Sequence, residues 1–354
     1  MYVKDILKRE NNNFDLLRII TALLVIYGHS NVFVTKKTHD FLNHYIFYDY
    51  SGGVAVKVFF FLSGLFVTNI ILVKRNPFGF AISRIFRIFP ALIFVVFLTT
   101  FLIGAIFTNL SLGEYYSNQE TYSYFYKNVL LFLSYSLPGV FSSNLSAGVN
   151  GSLWSLPYEF YSYALLLCLF VFGIFKNRKL ATLIGIGIII DAFMGNKFIF
   201  TWIQPNDIDR QFLCLSFVFG CLLALWKDKV KINIELILAS FIICYLFRNT
   251  SLTPYLMYIS IFLTLTYLFT RNFIVHLKPR YDLSYGVYLW GWVIQQIWVS
   301  LMPGLSSLKL TVLSSFSSIL VGYLSWKIVE KPFINYGKKL SKVFDNNKEN
   351  KTLL

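Results

Sequence analysis

Apolar runs of membrane length recur along this chain from residue 14 to residue 328, and one soluble core could not bury them all. A helix rises about 1.5 Å per residue and the hydrocarbon core of a bilayer is about 30 Å thick, so roughly 20 apolar residues cross it. Ten runs meet or approach that length: 14–34, 54–73, 88–108, 154–175, 180–200, 211–226, 232–247, 254–270, 283–301 and 309–328. With 56% hydrophobic and 14% charged residues and a mean hydropathy of +0.60, such a chain needs the bilayer as its solvent. The expected fold class is all-α: a polytopic integral membrane protein of about ten transmembrane helices. Its 37 Phe, 23 Tyr and 7 Trp exceed what a soluble core holds and suit the two membrane interfaces, where amphipathic rings collect.

Charge assigns the sides. An eleventh run, 125–137, is short, carries Lys127 and Asn128, and is followed by Pro138. If it does not cross, most of the 32 Lys and Arg residues fall in short loops on one face, as the positive-inside rule requires. If it crossed, every basic cluster of the second half would change sides. Ten spans therefore put both termini in the cytoplasm and leave 108–153 as one long outer segment with a re-entrant or interfacial piece. The net charge of +15 then describes mainly the cytoplasmic face, where membrane lipid or an anionic substrate is the expected contact. Nucleic acid is not expected, because the charge is divided among short loops. Residues 1–13 mix both signs and no small-residue cleavage signal follows the first run, so the first segment is expected to be a retained spanning helix. A membrane domain over 1–340 and a polar, disordered tail over 341–354 complete the expected organisation, with no second soluble domain and no repeat of 20–50 residues. Cys168, Cys214, Cys221 and Cys244 show no metal-ligand spacing, so neither a metal nor a disulfide framework is expected.

Ionisable side chains inside apolar runs are costly and mark functional sites by default. In RIITALLVIYGHSN, Arg18 and His29 stand eleven residues apart. A helix separates them by about 16 Å and turns them to within about 20° of one face. Arg18 then lies near the cytoplasmic end and His29 in the outer half. A snorkelling Arg18 and a structural histidine would also satisfy this spacing. SRIFRIFP places Arg84 and Arg87 on one helical face at the cytoplasmic end of the third run. There they are either positive-inside anchors or forks for phosphate oxygens, with Lys74 and Arg75 nearby. GSLWSLPYEFY brings Trp154, Tyr158 and Glu159 to the outer start of the fourth run. Glu159 would thus share a depth with His29, and a carboxylate and an imidazole at one depth could form a general-base pair. Lys57, in GGVAVKVFFFLSG, is a further outer-half charge that could neutralise an oxyanion, pair with Glu159, or snorkel. Tyr115, Tyr116, Tyr122, Tyr124, Tyr126 and Tyr135 in the outer segment offer faces to a glycan or form an aromatic belt.

FDLLRIITALLVIYGHS, VKVFFFLSGLFVTNII, SRIFRIFPAL, GSLWSLPYEFYSYALL, YDLSYGVYLW and WKIVEKPF resemble, in that order, the membrane-bound acyltransferase-3 family, which O-acylates bacterial surface sugars. The resemblance runs from residue 14 to about 337. It implies that Arg18 and His29 match the family's Arg, ten residues, His motif, with His29 as catalytic base. Arg84 and Arg87 match its Arg-x-x-Arg motif, associated with the acyl-CoA donor, and Trp154 and Glu159 match its Trp-to-Glu segment. The implied site thus has His29 and Glu159 as catalytic residues, Arg18, Arg84 and Arg87 as donor contacts, Trp154, Tyr158 and Lys57 as substrate contacts, and no metal. One departure is Gly291 in YLWGW, where many members carry histidine, and another is the absence of the soluble acyltransferase domain that some members append. Transfer is then expected within the membrane domain or on a separate polypeptide.

The resemblance implies transfer of an acyl group, acetyl foremost, from cytoplasmic acetyl-CoA to a hydroxyl of a glycan or lipid-linked oligosaccharide, at the bacterial inner membrane. A multi-pass transporter or flippase is the rival from another class, since intramembrane charge also describes a permeation path. A lipid-linked glycosyltransferase comes third, because it would want an arrangement of outer carboxylates that Asp40, Asp49, Glu114 and Glu120 do not display.

Overall fold

The computed structural model describes residues 1–35, 40–46, 49–146, 148–204, 207 and 209–349, with side chains as far as 342. Among these residues there is no named strand; two isolated bridges pair Tyr2 with Lys231 and Thr108 with Val140. The helices that organise the chain are α1 (Phe14–Thr35), α2 (Ser51–Lys74), α3 (Pro77–Leu98), α4 (Gln119–Val129), α5 (Leu156–Val171), α6 (Arg178–Phe193), α7 (Arg210–Leu225), α8 (Ile234–Leu246), α9 (Thr253–Leu268), α10 (Ser284–Leu301), α11 (Ser307–Ser325) and α12 (Lys331–Glu349). Each expected apolar run is helical over most of its length, though the helix in 180–200 ends at Phe193. Crossing is a stricter test, and 5 helical stretches among the described residues are long and apolar enough for it: Phe14–Thr35, Ser51–Lys74, Pro77–Phe107, Gly151–Val171 and Ser307–Lys342. Helices α6, α7 and α9 have 16 residues each and α8 has 13. At about 24 Å and 20 Å they fall short of a core of about 30 Å.

Two boundaries differ from expectation. Helix α3 begins at Pro77, eleven residues before the expected run, with Arg75 at φ 51° in the turn before it. Proline suits a first helical turn, where its missing N–H costs nothing. Arg84 and Arg87 therefore stand inside the helix, not at its mouth. At the other end, α12 is helical through Glu349, so no break in secondary structure falls at 341, and 350–354 lie outside the described residues. Of the short run 125–137 only 125–129 are helical, as the end of α4, whose 11 residues make about 16 Å of helix, too short to cross.

Helix α3 passes into a π-turn at Thr99–Ile103, which loosens the backbone ladder. The Tyr115 hydroxyl donates to the Thr100 carbonyl (2.7 Å) and the Tyr116 hydroxyl to that of Phe101 (2.7 Å). A Cβ at Gly104 would lie 2.1 Å from the Tyr115 hydroxyl oxygen, so glycine is what admits the ring. Tyr115 and Tyr124 are 0% and 1% exposed. These two tyrosines therefore serve packing and cannot offer faces to a glycan; Tyr116, Tyr122, Tyr126 and Tyr135 remain exposed.

The chain forms two compact units. The first comprises 1–18, 56–77 and 158–282, and the second 19–55, 78–157 and 283–354. In the first, α7 packs on α6 and α9, and α8 on α9. Helices α2 and α7 meet backbone to backbone: a Cβ at Gly64 would lie 2.0 Å from the Phe217 carbonyl oxygen, and one at Gly220 2.3 Å from that of Phe61. Small residues allow such approach where lipid supplies no hydrophobic drive between helices. In the second unit α10 lies along α11, closest where a Cβ at Gly286 would reach within 3.0 Å of Gly322 Cα.

Candidate functional site

His29 lies in the second unit, on α1, and is 8% exposed. A Cβ at its neighbour Gly28 would lie 2.4 Å from the Gly52 nitrogen, so the glycine lets α1 close on the start of α2. That approach sets Tyr50 beside the imidazole, with its hydroxyl oxygen 3.2 Å from His29 Nε2. The carbonyl of Val25, one turn back, accepts a hydrogen bond from His29. With that proton on Nδ1, the Tyr50 hydroxyl donates to the Nε2 lone pair, and the neutral ring presents a base. Trp292 of α10 packs edge-on against the imidazole at 4.8 Å between centroids, and Phe33 packs on Trp292 at the same distance. The Gln295 amide donates to the Ile26 carbonyl (2.7 Å) and Ser30 Oγ (2.9 Å), which ties this turn of α1 to α10. The ring is therefore located from three sides before any substrate arrives.

Arg84 and Arg87 belong to the same unit. Arg87 Nη1 is 3.3 Å from Glu330 Oε2, and Glu330 is 1% exposed. The guanidinium carbon also lies 5.4 Å from the centre of the Tyr285 ring, whose hydroxyl donates to the Ile88 carbonyl (2.9 Å). Arg84 Nε is 3.4 Å from Ser83 Oγ. One element measures the spacing. Helix α10 carries Tyr285 against Arg87 and, seven residues later, Trp292 against His29, an axial step of about 10 Å. The arginines and the histidine thus occupy two depths of one unit.

The first unit holds the remaining charged candidates. Arg18 Nη1 is 3.6 Å from both Asp15 and Asp282, and its guanidinium sits 5.1 Å over Phe66. Lys57 is 0% exposed, and its Nζ is 2.7 Å from Asp209 Oδ1, with the rings of Tyr258 and Phe212 at 5.8 Å and 5.9 Å. It neither snorkels nor pairs with Glu159, because Asp209 answers its charge inside the unit. Glu159 Oε1 accepts from the Tyr163 hydroxyl at 2.5 Å, and that hydroxyl is 3.1 Å from Ser63 Oγ. The Tyr158 hydroxyl, on a fully buried ring, bonds the Asp207 carboxylate. Burial, foremost, holds the Asp207 carboxyl above the usual carboxylate range. Trp154 belongs to the second unit, in the 3₁₀ turn Gly151–Ser155 that precedes α5.

Three contributors had no role in the sequence reading: Tyr50, Trp292 and Glu330. Glu330 carried the available signal, an acidic residue beside an apolar run. Tyr50 and Trp292 carried none, since 19% of the chain is aromatic.

The chain is similar to known proteins over nearly its whole length. The pattern of the acyltransferase domain matches residues 11–327. A relative described as an O-acetyl transferase, from Shigella phage Sf6, is 28% identical over 346 residues, covering 92% of this chain and 96% of the relative. No solved structure matches the chain.

Proposed function

We propose that this chain, which belongs to the acyltransferase family, transfers an acyl group, acetyl foremost, from cytoplasmic acyl-CoA to a hydroxyl of a bacterial surface glycan. In this reading it sits in the inner membrane with ten spans, the bilayer thinning locally around the short helices α6 to α9, and both termini lie in the cytoplasm. The observation that carries the reading is His29: a buried imidazole whose Nε2 faces a hydroxyl at 3.2 Å. The Tyr50 hydroxyl occupies the place proposed for the sugar hydroxyl that gives up its proton. General-base catalysis of this kind contributes typically 10²–10⁴-fold. Arg84 and Arg87 suit the phosphates of the donor. A guanidinium has five N–H donors in a planar fork that matches phosphate oxygens, and Arg87 meets Glu330 through Nη1. Acyl-CoA supplies the activated thioester. His29 takes the hydroxyl proton as the sugar oxygen bonds to the acyl carbon, and returns it to the sulfur as the carbon–sulfur bond breaks. Glu159, oriented by Tyr163, is the proposed second catalytic residue. Arg18 is the proposed further donor contact, and Trp154 the acceptor contact, since the Tyr158 ring is fully buried.

The test uses full-length protein in lipid nanodiscs with isotope-labelled acetyl-CoA. The acceptor is oligosaccharide from the polysaccharide of the cell that carries the gene, stripped of its esters. NMR should show a new O-acetyl ester, and His29→Ala, at equal inserted protein, should lower its rate about 10²-fold or more. Sugar movement across a vesicle membrane without thioester consumption would replace this reading with transport.

A further inference from the structure

In the second unit, the C-terminal ends of α1 and α10, residues 143–145 and the turn at 302–305 enclose a cleft of about 380 Å³. Sites for small ligands run from roughly 300 to 1,000 Å³. Phe33, Asn144, Ser300, Met302 and Pro303 are among its walls, and among the described residues no ionisable side chain lines it. Such a lining gives a polyanionic donor nothing to pair with, and a charged ligand would lose hydration without return. It does suit a neutral ring rich in hydroxyls: amide and hydroxyl groups exchange hydrogen bonds with the sugar while aromatic and aliphatic surfaces cover its C–H faces.

The wall is fixed in advance. Trp292, Gln296 and Ser300 fall four residues apart on one face of α10, and each holds the segment beside the cleft. Trp292 Nε1 donates to the Gly148 carbonyl (2.7 Å), and Gln296 Nε2 donates to the carbonyls of Ser146 (2.8 Å) and Gly148 (2.6 Å). The Asn144 amide donates to Gln296 Oε1 (2.7 Å) and Ser300 Oγ (3.0 Å). A preformed polar wall lowers the ordering cost of binding. Phe33, on the cleft side, packs on Trp292, which packs on His29. Two aromatic side chains in series, Phe33 and Trp292, therefore link the cleft wall to the base.

We propose that this cleft is an acceptor subsite, which holds a neutral sugar residue of the glycan next to the one that receives the acyl group. The proposal rests on the acyl-transfer reading above, and its test separates the two. Ser143 is exposed at the rim. In full-length Ser143→Cys in nanodiscs, N-ethylmaleimide labelling is followed peptide by peptide, with and without the de-esterified oligosaccharide. Oligosaccharide should slow labelling at 143 about threefold or more by occupying the cleft, while Cys168, exposed in the first unit, is unaffected. Ser143→Trp should raise the acceptor KM about tenfold at unchanged donor KM, the pattern of lost ground-state binding. Unchanged labelling, or protection by acetyl-CoA in place of sugar, overturns the subsite. If the wild type acetylates no oligosaccharide the acyl-transfer reading fails, and protection at 143 still decides whether the cleft binds sugar.

Discussion

Arg87→Ala looks, from sequence, like a simple defect in donor binding, but its contact with Glu330 makes it a folding variant as well. Glu330 is 1% exposed, and Arg87 Nη1 approaches its carboxylate to 3.3 Å. Removing one partner of a buried pair costs about 3–5 kcal/mol. The Arg87 side chain is 27% exposed, so water screens the pair and the low end applies. About 3 kcal/mol is a factor of roughly 150 in the folded population. Adding Glu330→Gln removes the buried charge, so the double variant should recover most of the loss, to within about 1 kcal/mol of wild type. The measurement is the fraction of detergent-solubilised protein that stays monodisperse across a temperature series, for wild type, both single variants and the double, read as a double-mutant cycle. Donor affinity is then determined on the double variant, where stability no longer confounds it. Arg87→Ala as stable as wild type, or a double variant no better than that single one, would refute the coupling.

Tyr50→Phe removes the hydroxyl at His29 Nε2 but keeps the ring edge, 5.7 Å between centroids; transfer should fall by less than about tenfold, and a loss matching His29→Ala would make Tyr50 itself a reacting group. The Lys57–Asp209 pair should be asymmetric, since Lys57 is 0% and Asp209 38% exposed. Asp209→Ala takes the 2.7 Å partner from a buried cation and should cost up to about 3 kcal/mol in a thermal-stability assay, while Lys57→Met leaves a hydrated carboxylate and should cost less; the reverse order would falsify this account. Burial raises the Asp207 carboxyl above its ordinary 3.8, against the Tyr158 and residue-209 hydrogen bonds and the Lys57 charge. Between those two values the folded chain binds more protons than the unfolded one, so this group makes stability fall as pH rises through the window. Asp207→Asn should flatten that slope, and an unchanged pH profile of thermal stability would count against the burial argument.

What was legible in the sequence follows from which forces act locally. Helices α1 to α3 and α5 to α11 could be read because apolar runs and helical rise are properties of neighbouring residues. The two depths of Arg87 and His29 could be read for the same reason. Which carboxylate answers which cation could not be read. Asp209, 152 residues after Lys57, sits just before α7 in a stretch whose sequence gives no sign of its partner. Glu159 was the acidic residue in view for Lys57, yet its contact is Tyr163, one turn along its own helix. The π-turn at Thr99–Ile103 was hidden because its cause lies elsewhere, in Tyr115 and Gly104 meeting across the outer segment.

Gly291 joins these levels. The family resemblance leads one to expect a histidine there, and taken alone the glycine reads as a lost functional group. In the structure a Cβ at 291 would lie 2.9 Å from Ile26 Cγ1 and 3.2 Å from its Cδ1. Ile26 is on α1, three residues before His29, and its carbonyl accepts from Gln295 at 2.7 Å. Glycine therefore permits α10 to close on α1 at the turn below the imidazole. The next residue, Trp292, gains from that closure: it packs on His29 and, through its indole N–H, fastens the segment at Gly148. A bulkier residue would push this contact apart at a typical cost of about 1–3 kcal/mol. The departure from the family's pattern and the aromatic clamp on the candidate base are thus one arrangement: without a side chain at 291, the position of His29 is set by packing, and a second imidazole has no place beside it.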